Sequence, residues 1–104
     1  MAKYLFVYHG GTSPNTQAEI DEVMDQWGAW FASMGGAVID GGAPVGLSTT
    51  VNSDGSVVNN GGANPASGYS LIDAADDQDA VNKAKACPIL AAGGSIELAP
   101  IHEM

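Results

Sequence analysis

Apolar residues recur along this chain with two different periods, and each period marks a kind of element. Ile20, Val23, Met24, Trp27, Trp30, Phe31 and Met34 fall three or four positions apart, the stripe that an amphipathic helix turns toward a core. Asp21, Glu22, Asp25 and Gln26 occupy the rest of that cylinder. Thr16 followed by Glu19 forms a capping box, which places Thr16 at the helix N-cap. Gly35-Gly36 ends the helix, because glycine accepts the left-handed cap conformation cheaply.

The second period is two. Residues 3–9, KYLFVYH, put Tyr4, Phe6 and Tyr8 on one side and Leu5 and Val7 on the other. Both sides are apolar, so a central strand is predicted. AVID at 37–40 reads as a short strand closed by Gly41-Gly42-Ala43-Pro44. Residues 47–51 and 56–59 flank Asn52-Ser53-Asp54-Gly55, a hairpin turn signal. Residues 59–67 read as a polar, Gly-rich loop, and GYSLIDA at 68–74 as a strand. A second helix starts at the cap residue Asp76, carries Ala80, Val81, Ala84 and Cys87 as a narrow apolar stripe, and is stopped by Pro88. A loop at 91–94 leads to a last strand, SIELAPI at 95–101, whose Pro100 suits an edge position or a strand end.

The order β-α-β-(β-hairpin)-β-α-β over residues 1–104 predicts one α+β domain. It is a ferredoxin-like sandwich with an inserted hairpin, with two helices on one face of an antiparallel sheet. Two helices cover one face. The other face would then show an apolar patch to water, so a two-fold homodimer packed sheet to sheet is expected; the rival arrangement folds the hairpin over that face.

Charge narrows the partners. The chain has three Lys, no Arg and twelve acidic residues, for a net charge of −9. Nucleic acid and anionic membrane surfaces need cations that this chain lacks, so neither is an expected partner. One cysteine, Cys87, permits no intrachain disulfide. The apolar run from Tyr4 to Tyr8 is too short for a signal-peptide core. A cytoplasmic location is the expectation.

Several segments in order carry a resemblance: KYLFVYHG, a helix ending in WFASMGGAVIDGGAPVG, a hairpin, GYSLIDAADDQDAVNKAKACP, and GGSIELAPI. Together they resemble the YCII-related (YciI-like) family, in particular its DGPF-type branch. That branch has a "YYLID" strand, here Tyr69-Ser70-Leu71-Ile72-Asp73, and a "D-x-D-A" helix start, here Asp77-Gln78-Asp79-Ala80. Its closing strand "G-x-V-E-V-x-P-I" corresponds to Gly94 through Ile101. The resemblance spans nearly the whole chain and implies the dimeric α+β barrel arrangement. Two features depart from it. The DGPF signature is replaced by VVNNGGANPAS, and no His stands in the first helix near Met24 or Asp25, where some relatives carry one paired with an Asp for acid–base chemistry. That dyad does not transfer.

The remaining candidates are few. His9 ends the first strand and Asp40 the second; side by side they would make an oriented imidazole for proton transfer. Tyr8, Trp27, Trp30 and Tyr69 could wall an aromatic ligand pocket, although each also suits a core or a sheet surface. Cys87 reads as a small buried hydrophobe. His102 and its neighbours fit no recurring metal-ligand spacing, and neither a P-loop nor G-x-G-x-x-G occurs. No metal or cofactor is therefore expected. Two readings follow. The first is a homodimeric, cofactor-free module that binds a small molecule. The alternative is a cofactor-free enzyme of isomerase or lyase type, with His9 and Asp40 moving a proton on a small apolar or aromatic metabolite. The separation of His9 from Asp40 discriminates between them.

Overall fold

The structure is a computed structural model, and it describes residues 2–11, 14–59 and 65–103. Strand β1 (Ala2–His9) buries Tyr4, Phe6 and Tyr8 beneath the helices and leaves Leu5 36% exposed on the other face. Helix α1 (Gln17–Met34) begins where the capping box requires. Thr16 Oγ1 accepts a hydrogen bond from the Glu19 backbone N–H at 3.1 Å, and Glu19 Oε2 accepts one from the Asn15 N–H at 2.9 Å. These bonds satisfy donors that a helix start otherwise leaves open. Gly35, at φ 55°, closes it.

Strand β2 (Val38–Pro44) follows a short 3₁₀ turn over Gly35–Ala37. It runs four residues past the expected end at Asp40. Asp40 Oδ1 accepts from the Gly42 N–H at 2.8 Å, and Gly42 takes φ 72°. The chain kinks through two register shifts there and still pairs Ala43 and Pro44 with the neighbouring strand. A bulge of this kind lets a Gly-rich stretch remain in a ladder.

The hairpin is shorter than its apolar runs suggested: β3 (Thr50–Val51) pairs with β4 (Val57–Val58). Asp54 Oδ1 accepts from both the backbone N–H and the hydroxyl of Ser56, which pins the turn. Val51 is 69% exposed and Val57 56%, so this ribbon projects and does not join the core. Of the polar loop expected at 59–67, residues 60–64 lie outside the described residues. Strand β5 (Ala66–Ala74) starts two residues earlier than its alternation implied.

Helix α2 (Asp77–Ala84) is capped by Asp76, which accepts from the Asp79 N–H at 2.8 Å. It ends four residues before Pro88. Cys87 then caps a separate one-turn helix, α3 (Pro88–Ala91), with Pro88 in its first turn. The proline that cannot continue one helix is preorganised to start the next. Cys87 thus lies beyond α2, where a single longer stripe was expected. Strand β6 (Ser95–Pro100) completes the sheet, one residue short of expectation.

The main sheet has the order β2-β5-β1-β6, and every neighbouring pair is antiparallel. β1 and β2 therefore run parallel with β5 between them. The helices lie over one face of an α+β domain. Its core holds Tyr4, Phe6, Tyr8, Trp30 and Ile72, with Ala74, Ala80, Ala84 and Cys87 where α2 meets the sheet. Among the described residues no helix is long and apolar enough to cross a membrane.

Candidate ligand cleft

The C-terminal end of β1 and the start of α1 diverge at Gly10-Gly11, and a cleft of about 960 Å³ opens there. Its floor is aromatic. Trp27 meets Tyr8 edge to face with centroids 5.0 Å apart at 82°, and packs on Phe31 at 5.9 Å. Glu19, Glu22, Val23, Gln26, Trp27 and Phe31 of α1 line one side of it. Opposite stand the bulged end of β2, Tyr69 of β5 and Ile89 of α3.

A short relay of hydrogen bonds keeps the floor rigid. The Tyr8 hydroxyl donates to Ser70 Oγ at 2.7 Å, and Ser70 donates to the Gly41 carbonyl at 2.7 Å. These bonds tie β1, β5 and β2 together at the site. Burial pushes the Tyr8 phenol well above its ordinary pKa, so it is a neutral donor here. Gly42 is required by shape. A Cβ there would fall 1.7 Å from the Tyr69 carbonyl oxygen. Ser67 also lines the cleft, and its buried hydroxyl oxygen has no hydrogen-bond partner among the described residues.

Three of the four expected pocket residues, Tyr8, Trp27 and Tyr69, line the cleft. Trp30 does not. It is 4% exposed, its Nε1–H donates to the Lys83 carbonyl at 2.9 Å, and it packs behind Trp27. Its offset of three from Trp27 turns it toward α2, so it is a core residue.

His9 and Asp40 are not brought together. β5 separates their strands; His9 pairs with Ala66 and Asp40 with Leu71. Five positions along a strand are about 16 Å. The His9 ring contacts the Pro65 carbonyl at 3.2 Å through Nδ1 and the Glu97 carboxylate at 3.0 Å through Nε2. Glu97 opposes Val7 in the ladder, so this pair lies on the sheet face away from the helices. Asp40 is exposed and occupied with Gly42. The Asp40 contact expected of an acid–base pair is made by Glu97 instead, because a diagonal cross-strand neighbour is far nearer than a strand end two ladders away.

Glu19, Glu22, Phe31, Ile89 and the Gly41–Pro44 segment were not singled out from the sequence as site residues. Phe31 shares the apolar stripe of Trp27 and was legible from it, whereas Glu19 was read as a cap residue and Glu22 as a polar position off the stripe. The others come from distant elements. Cys87 is 3% exposed and burial pushes its thiol up to about 11, so it is no thiolate nucleophile. The chain matches no protein-family model, no curated protein and no solved structure.

Proposed function

We propose that this chain is a homodimeric module that binds a small molecule in the cleft between α1 and the sheet, without a cofactor. The aromatic floor carries this reading: Tyr8, Trp27 and Phe31 meet in a concave site whose volume falls in the range of small-molecule pockets. The dimer is the reading's second part. The sheet face away from the helices carries Leu5, Val7 and Leu71, and a second copy would cover it. The strand order β2-β5-β1-β6 supports a ferredoxin-like sandwich, and with the ordered sequence segments it supports membership of the YCII-related family.

Thermal denaturation against a library of small aromatic compounds tests the site, since a ligand of the native state raises Tm. A compound should raise Tm for the wild-type chain and fail to do so for Trp27→Ala, provided that variant still melts cooperatively. A library without any such compound overturns the reading.

The enzyme reading retains one point in its favour, an imidazole–carboxylate contact, formed by His9 with Glu97. That contact lies outside the cleft lining. His9→Ala is therefore expected to leave cleft binding unchanged. A loss of turnover on a bound compound in that variant would favour the enzyme.

A further inference from the structure

We infer that the cleft selects a cationic ligand with a flat aromatic body, an arylalkylamine in chemical class; this rests on the reading of the cleft as a small-molecule site. The cleft lining among the described residues contains Glu19 and Glu22 but no Lys, Arg or His. The whole chain has three cations against twelve acids. Lys83 is held by Asp79 at 2.7 Å, and Lys85 borders a separate recess beside Leu90 and Ile96. An anionic head entering the cleft would meet repulsion and no counter-charge.

The start of α1 offers an anion little. The Asn15 and Glu19 backbone N–H groups already donate to Glu19 and Thr16, so part of the usual anion-binding set is spent. A cationic head, by contrast, is attracted to the two acids while the flat body of the ligand stacks on Trp27.

The order along α1 also sets a length. Glu22 precedes Trp27 by five residues and Glu19 precedes it by eight. At the helical rise these are about 8 Å and about 12 Å along the axis. A ring stacked at Trp27 with an ammonium group toward the helix start therefore needs a linker of about four carbons. Ile89, Val23 and Met24 also line the cleft, and apolar lining suits methylenes.

Three probes of one shape separate the parts of this inference: 4-phenylbutylamine, 4-phenylbutan-1-ol and 4-phenylbutyrate. Binding is followed by the indole N–H resonance of Trp27 in a titration, with Trp30, held by Lys83, as an internal reference. The amine should bind about tenfold more tightly than the carboxylate, with the alcohol between. Glu22→Gln should weaken the amine about threefold and leave the alcohol unchanged, since Glu22 is exposed and its loss does not touch the capping bonds. Carboxylate binding equal to or tighter than the amine, with the Trp27 resonance moving, overturns the cation rule and leaves the site standing. Failure of all three probes to move Trp27 at millimolar concentration removes the site along with the rule.

Discussion

Tyr8 turns its ring to Trp27 and its hydroxyl to Ser70, so one residue joins the cleft floor to the polar relay that crosses three strands. Tyr4, four residues earlier on the same face, is used differently. Its hydroxyl donates to Asp77 Oδ1 at 2.5 Å, tying β1 to the start of α2. That bond, then burial, holds the Tyr4 phenol up at about 12, against an ordinary 10.0. Burial holds the Cys87 thiol at about 11, against 9.0. In both the fold favours the neutral form. Their stabilising effect is therefore complete below the unfolded pKa values and lost as pH rises through the folded ones. Urea midpoints should accordingly hold to about pH 9 and fall between about pH 9 and 12. Tyr4→Phe should flatten the upper part of that decline while lowering stability at neutral pH, and Cys87 should react with thiol reagents only after denaturant is added. A midpoint flat to pH 12 contradicts both assignments.

At the scale of elements, β2 shows how a strand with two adjacent glycines remains in a sheet. Asp40 captures the Gly42 N–H, Gly42 adopts a positive φ, and the strand regains register at Ala43. An added methyl at Gly42 would strike the Tyr69 backbone, which cannot move without breaking the ladder. Gly42→Ala should cost more than about 2 kcal/mol in urea denaturation, from left-handed strain plus the clash. Gly46→Ala is the control: nothing lies within 4 Å of its Cβ position. It should shift stability by less than about 1 kcal/mol. Equal effects at the two positions would show that the bulge is not as tight as the backbone geometry requires.

For the whole molecule the telling feature is its flatness. The extents are 43 × 43 × 18 Å and the radius of gyration is 14.9 Å, above the value of about 13 Å for a compact chain of this length. The projecting hairpin and the single helical layer account for the difference. Leu5 sits opposite Leu71 on the helix-free face. If two copies pair there, light scattering at tens of micromolar should give twice 10.5 kDa. Leu5→Glu should then give a folded monomer, because a carboxylate buried between two sheets has no partner to offset its desolvation. A wild-type chain that scatters as a monomer removes the dimer.

Much of this protein was written locally. The α1 stripe, its capping box and the Asp76 cap depend on residues within one or two turns of one another, so spacing along the chain determined them. The alternation put Tyr4, Phe6 and Tyr8 together on one side of β1, but both sides are apolar, so which side the helices cover was left to packing. Whether His9 would meet Asp40 or Glu97 depended on strand order, and whether Trp27 or Trp30 would line a cleft depended on where α2 packs. The length of β2 hung on a hydrogen bond competing with a ladder. Those outcomes arise from contacts between residues far apart in the chain, where each side chain has several possible partners and packing selects among them; only the tertiary structure decided them.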